Sequence, residues 1–330
     1  MGEPLRLVFM GSDPIALPLL DWLAGEGRAV ATLVGVVTGP DRPSGRGQAV
    51  RPNAVRSWVG TRPVALLQPE RLDAAAAAGV AGLNPDVALV VAYGQILKDT
   101  FIAIPRLGTL NLHASLLPGY RGASPIQSAV ASGDAETGLS LMRIVRELDA
   151  GPVADTVRVP IGPLDTALEV EARLAAAAAG LVGRSLPLLA AGALTFREQD
   201  RASATFCRRL EKEDGVLDFT APARVLAARI NGLHPWPSAA IEIGGQSVKV
   251  GLADAVDGTG PGAPGTLHGP DEAGLRVTTG SGVLRLRRLQ RPGGRMLGAS
   301  EFLRGFTVPT GAVAPSHPMP PLVGREPFRR

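Results

Sequence analysis

Cysteine, histidine and aromatic residues are scarce in this chain, and each scarcity removes a class of chemistry. The one cysteine, Cys207, has no partner for an intrachain disulfide, so the fold must rest on a packed core rather than on covalent staples. The four histidines, His113, His234, His268 and His317, stand far apart with neither an HxxxH nor a CxxC spacing, which argues against a metal site. Aromatics make up 4% of the residues, leaving Val, Leu, Ile and Ala to build the interior. Read along the chain, no apolar run approaches the ~20 residues that cross a bilayer. No leader-like segment precedes the first apolar strand, and a cytoplasmic protein without membrane contact, acting as a monomer, is expected. The turn after that strand, Gly11-Ser12-Asp13-Pro14, lacks the spaced glycines of a dinucleotide loop, so NAD binding has no support.

What is present is enough apolar chain for two cores. At 330 residues, 45% hydrophobic and 19% charged, the sequence has the length of two domains and the composition of an ordered protein. Apolar strands at Leu5–Met10, Val30–Val37, Val64–Gln68 and Asp86–Ala92 alternate with helical stretches at Pro14–Ala24 and Ala-rich Glu70–Gly79. Strand-helix-strand repetition of this kind predicts an α/β, Rossmann-like doubly wound parallel sheet, with ligands at the carboxyl ends of its strands. A helix over Asp165–Leu189 is expected to close this domain at about residue 190, with a linker over 191–206. From residue 207 to 330 the pattern changes to short strands, Ala239–Ile243, Ser247–Leu252, Gly274–Thr279 and Val283–Leu289, with a Gly244-Gly245 hairpin turn. Short strands and tight turns suggest a small OB-like β-barrel.

The densest chemistry lies in NLHASLLPGYRG, residues Asn111 to Gly122, at the end of a predicted strand. Asn111 and His113 are two apart, so on a strand their side chains leave the same face. A second apolar segment, Leu139–Val145, ends near Asp149 and offers a carboxylate. Amide, imidazole and carboxylate together can polarise a carbonyl and move a proton; singly, each is more often a hydrogen-bonded structural residue. Beyond these residues, NLHASLLPGYRGASPIQ, VVAYGQIL from Val90, GDAETGLSLM from Gly133, ELDAGPV from Glu147, PDRPSGRG near the start and HPWPSAAIEIGGQSVKV from His234 occur in order over nearly the whole chain. In these motifs the sequence resembles the folate-dependent formyltransferases.

The resemblance implies transfer of a formyl group from 10-formyltetrahydrofolate to the α-amine of methionine carried by initiator tRNA, without a covalent enzyme intermediate. It implies Asn111 and His113 as donors to the developing oxyanion. Asp149 is then either a base acting through water or the group that holds His113 protonated. It places the folate against Ser115, Leu116, Leu117 and Pro118 and beside Val91, Ala92, Tyr93 and Gly94, a narrow apolar slot suited to a flat pteridine. The loop Gly39–Asn53 is a Pro-, Gly- and Arg-rich surface loop on composition; the resemblance makes it the tRNA-side insertion, with Arg46 central and Arg42 and Arg51 assisting. Net charge is +4, and from Arg276 to Arg295 the arginines, Arg285, Arg287 and Arg288 among them, meet no acid in sequence. That run is either a solvated strand face or a phosphate surface of a C-terminal tRNA-binding domain. Arg121 either pairs with a substrate carboxylate or anchors its own loop. Two other functions stay open at this level: the same chemistry on a small amine or on water, and a non-catalytic RNA-binding protein.

Overall fold

The computed structural model describes residues 3–44, 49–60, 62–271, 273–309 and 311–328. Its contacts divide the chain into two compact units that interleave in sequence. The first comprises Met1–Arg121, Gly138–Val159 and Glu171–Ala204, and the second Gly122–Thr137, Pro160–Val170 and Thr205–Arg330. Most of the stretch expected as a linker, 191–204, therefore lies with the first unit, and two short segments from the N-terminal half lie with the second.

The first unit is built on a seven-stranded sheet in the spatial order Ala65–Leu67, Ala31–Val37, Leu5–Gly11, Val87–Val91, Thr109–His113, Glu136–Arg143, Val153–Pro160. Five of these strands pair in parallel as expected. Glu136–Arg143 then joins Thr109–His113 in the antiparallel sense, which makes the sheet mixed rather than wholly parallel. Val87–Val91 is buried at every position, as a central strand covered on both faces must be. The strand order reverses between Leu5–Gly11 and Val87–Val91, the place where open α/β sheets open a crevice. Gly11 sits there, and a Cβ on it would lie 2.5 Å from the Val91 carbonyl oxygen, so only glycine lets the two strand ends approach this closely.

The helix Ala167–Ala190 corrects the expectation about apolar runs. By length and composition it passes the test for a membrane span, with 44% of its most apolar window buried inside the protein. Its buried residues Val170, Leu174, Ala178, Leu181 and Leu189 recur at helical spacing, and Arg184 on its other side pairs with Asp155 at 2.6 Å. An amphipathic stripe with a charged back is the pattern of a core helix.

The second unit carries an antiparallel sheet in the order Ala239–Ile243, Gln246–Val256, Val283–Gln290, Gly274–Thr278, Leu267–Asp271, with Leu297–Gly298 added beside Val283–Gln290. The hairpin between the first two turns at Gly244 and Gly245, both with positive φ, 57° and 75°. That is the glycine pair a two-residue turn matching strand twist requires. Helix Ala223–Gly232 packs over this sheet with Leu226 and Ile230 wholly buried. Helix Pro125–Ser132 packs on that helix where Gly232 approaches Ala131.

Candidate active site

Three strand ends of the first unit supply the expected chemical groups. Thr109–His113 lies between Val87–Val91 and Glu136–Arg143, with Asn111 in register with Val90 on one side and Met142 on the other, and His113 opposite Ser140. Asn111 is half-buried, and its side-chain amide makes no hydrogen bond among the described residues. His113 is buried, and its Nε2 lies 2.9 Å from the Tyr120 carbonyl oxygen. A carbonyl only accepts, so Nε2 carries a hydrogen. The other ring nitrogen, Nδ1, then faces Asp149 Oδ2 at 3.8 Å. The geometry therefore brings His113 and Asp149 to 3.8 Å, from one strand and the loop after its antiparallel neighbour, with Asn111 two residues before His113 on the same strand.

That loop is tightly determined. A Cβ on Gly151 would fall 1.9 Å from the Arg143 carbonyl oxygen, so the chain folds back on its own strand only with glycine there. Asp149 takes φ 47°, and Tyr120 and Ala92 take 56° and 45°. Non-glycine residues in this region cost on the order of 1 kcal/mol each and persist where surroundings over-determine them. All three border the same set of strand ends.

The SLLPG loop is fastened from within. Ser140 Oγ donates to the Ser115 carbonyl at 2.7 Å and accepts from Leu117 N at 3.1 Å, and Ser115 Oγ donates to Gly119 O at 2.6 Å. Leu116, Leu117 and Pro118 are thereby held half-buried, as an apolar slot wall requires. Ser115 is fully buried with its hydroxyl committed to the loop, so its side chain shapes the wall. The side chains of Val91 and Tyr93 are buried too, and Tyr93 belongs to the apolar cluster with Val8, Met10 and Phe101. Burial pushes the Tyr93 phenol up to about 12. Ala92 and Gly94, by contrast, are exposed. Two apolar side chains not anticipated from the sequence, Ile96 and Leu148, are 61% and 48% exposed on the same two loops. Apolar groups left open beside strained backbone fit a flat ring better than solvent.

Arg121 anchors its loop. It is buried, and its Nε and Nη2 donate to Gln199 Oε1 at 3.1 and 2.8 Å. Burial lowers the basicity of this guanidinium, and the negative charges of Asp149 and Glu147 oppose that effect. Gln199 was overlooked in the sequence because a single amide in an irregular segment has no periodic signature. Among the described residues no group of three His, Cys, Asp or Glu side chains could hold a metal ion.

The arginines expected to meet tRNA divide into two kinds. Arg42 and Arg51 lie directly opposite one another on the hairpin Arg42–Ser44 with Ala49–Arg51, both exposed. Like charges so paired repel unless an anion joins them. Arg42 also meets Glu70 at 3.2 Å, with both side chains about 70% exposed, a contact of ~0–1 kcal/mol that a phosphate can displace. Arg46 lies outside the described residues. Arg285 and Arg287 correct the reading of a free basic strand. Both grip Asp254 on the adjacent strand through two nitrogens each, at 2.6 to 3.0 Å. Arg285 also reaches Asp271 at 3.3 Å. Two carboxylates cancel their charge. Arg288, next along the strand and at a register irregularity of this pair, is exposed and without an ion pair among the described residues.

Burial pushes the Asp254 carboxyl up, but hydrogen bonds and charge from Arg287 and Arg285 outweigh it and bring the group from 3.8 to about 2. The folded value is the lower one, so its stabilisation is complete above pH ~4 and is lost as pH falls through about 2. The shift corresponds to about 2 kcal/mol. Asp254→Asn is therefore expected to lower urea stability at pH 7 by about this amount and to make little difference at pH 2; equal losses at both pH values would contradict the assignment.

The strand ends that carry these groups lie on an open α/β sheet, and comparison with known proteins gives the class. The profile described as formyl transferase matches residues 5–184, and that of the formyl transferase C-terminal domain matches residues 209–307. The chain belongs to the formyl transferase family. Within it, the chain is 42% identical over 303 residues to a methionyl-tRNA formyltransferase of Stutzerimonas stutzeri (strain A1501), covering 92% of this chain and 95% of the relative. Among solved structures, methionyl-tRNA formyltransferase from Clostridium thermocellum shares the fold with a TM-score of 0.54 at 15% identity, over 76% of this chain and 94% of that one. An N-formyltransferase from Helicobacter canadensis in complex with folinic acid and dTDP-3-aminofucose does so with a TM-score of 0.64 at 15% identity, over 86% and 99%.

Proposed function

We propose that this chain transfers the formyl group of 10-formyltetrahydrofolate to the α-amine of methionyl initiator tRNA, in the cytoplasm and as a monomer. The observation that carries the reading is the meeting of Asn111, His113 and Asp149 at one strand end, in a chain that matches a methionyl-tRNA formyltransferase over 92% of its length. The folate would supply the formyl carbonyl and its leaving nitrogen. Leu116, Leu117 and Pro118, with exposed Ala92, Gly94, Ile96 and Leu148, would hold its flat ring. The unengaged amide of Asn111 donates to the oxygen as it becomes negative when the amine adds, and His113 can add a donor only through a protonated Nδ1, since its Nε2–H is held by the Tyr120 carbonyl. Because His113 Nε2 is committed to Tyr120 and Nδ1 faces Asp149, the arrangement favours a carboxylate that supports the imidazole and receives the amine's proton through it or through water. By sequence pattern, catalysis belongs to residues 1–190 and tRNA binding to 207–330 across the segment 191–206.

The direct test is an assay with 10-formyltetrahydrofolate and methionyl-tRNA. Formylmethionyl-tRNA is expected; none, with turnover instead on a small amine or hydrolysis alone, would overturn the acceptor assignment. For the tRNA side, Arg42, Arg51, Arg288 and, by resemblance, Arg46 carry the proposal. Replacing Arg42 and Arg51 with Ala is expected to raise the apparent KM for methionyl-tRNA, leave that for folate unchanged and reduce the salt slope by about one unit per lost phosphate contact. An unaltered salt slope would return both arginines to the solvated surface.

A further inference from the structure

Gln199 spends all four of its hydrogen-bonding positions on the site. Its Oε1 accepts both contacts from Arg121, and its Nε2 donates to the Asp149 carbonyl at 2.8 Å and the Gly151 carbonyl at 2.7 Å. A carboxamide can do no more. The segment bearing it is pinned two residues earlier, where Arg197 and Val153 exchange backbone hydrogen bonds at 2.8 and 2.9 Å. Val153 begins the strand into which the Asp149 loop runs. The amide is thus aimed from a fixed base at the backbone of a residue held at φ 47°.

The contacts close a ring. His113 Nε2 is bound by the carbonyl of Tyr120, Tyr120 is joined to Arg121, Arg121 is bound by Gln199, Gln199 binds the backbone of Asp149, and the Asp149 carboxylate returns to His113 Nδ1. One neutral amide therefore sets the separation between the elements that carry the ring and the carboxylate. A charged residue would serve less well, since a carboxylate in this place would still bind Arg121 but would confront two carbonyl oxygens.

We infer that Gln199 is a positioning residue for the formyl transfer, holding the Asp149 loop at the distance from His113 that proton handling needs. This rests on the role proposed for Asp149. Three variants test it on the full chain, with kcat, both KM values and thermal stability measured for each. Gln199→Ala removes the whole bridge. Gln199→Glu keeps the acceptor for Arg121 and loses both donors to the loop. Both are expected to lower kcat per folded molecule about 10- to 100-fold, the scale of a misplaced catalytic group, with KM for folate and tRNA little changed. Adding Gln199→Ala to Asp149→Asn is expected to cost nothing further, because the group being positioned is already gone. Parent-like kcat in Gln199→Glu, lowered stability with normal kcat per folded molecule in Gln199→Ala, or full additivity with Asp149→Asn would each overturn the inference. Full activity in Asp149→Asn alone would instead remove the reading beneath it.

Discussion

Asp149→Asn is expected to lower kcat by about 10²- to 10⁴-fold, the range for loss of a positioned acid-base group, while leaving both KM values within a few-fold of the parent. The substitution keeps shape and volume and removes the negative charge 3.8 Å from His113 Nδ1. Nothing else changes for the ring, whose Nε2 stays on the Tyr120 carbonyl. What is lost is the reason for Nδ1 to carry a proton while its neighbour donates to an anion, together with the final acceptor for the proton leaving the amine. If the two residues work as a unit, His113→Ala combined with Asp149→Asn falls no further than the worse single variant. Rapid-quench measurement of a single turnover separates this chemical step from product release. A loss under about 5-fold, well below the usual contribution of such a group, or two losses that multiply would mean that the pair does not act together.

How much of this site can be read from the sequence depends on whether the information is local. Asn111 and His113 are two residues apart on a strand, and period-two geometry alone puts them on one face, as found. The two leucines and the proline of the SLLPG turn are likewise local. The reading fails where facing is decided by a neighbour. At the end of Val87–Val91 exposure alternates along the chain, so Ala92 and Gly94 are exposed while Val91 and Tyr93 are buried. Composition cannot tell one set from the other. Ser115 has the right polarity for a ligand contact, but its hydroxyl is nearer to Gly119 O than to any solvent-facing slot.

Long-range partners are the second kind of failure. A run of arginines without acids reads as basic, yet Asp254 lies 31 residues before Arg285 and directly across from it in the sheet. Register, which the linear pattern does not give, decides whether that strand is a phosphate surface or an internal ion cluster. Gln199 shows the same limit: lying 50 residues from Asp149 and 78 from Arg121, it sits in a stretch whose lack of periodicity looked like a linker. Irregular backbone is not idle backbone when its ends are pinned. The antiparallel entry of Glu136–Arg143 also escapes a strand-counting argument, since alternation of strands and helices predicts parallel neighbours and the connection here too carries a helix of eight residues, Pro125–Ser132.

Asn111→Ala is expected to cost about 10²- to 10³-fold in kcat, the usual effect of removing one oxyanion donor, and its contrast with Asn111→Asp isolates the cause. The side-chain amide makes no hydrogen bond within the described residues, so no structural contact is forfeited, and thermal stability is expected to stay near that of the parent. Alanine removes the donor and leaves room for a water that can partly replace it. Aspartate is nearly isosteric but sets a carboxylate where negative charge must develop. It is therefore expected to be the worse of the two, although the more conservative in shape. Ground-state binding of folate should change little in either, because an unreacted carbonyl oxygen gains less from the donor than the oxyanion does. The loss thus falls on kcat and kcat/KM alike. Parent-like activity in Asn111→Asp with a loss in Asn111→Ala would show that Asn111 acts by filling space, and a rise in KM for folate with kcat intact would move it from the reacting oxygen to the binding of the ring.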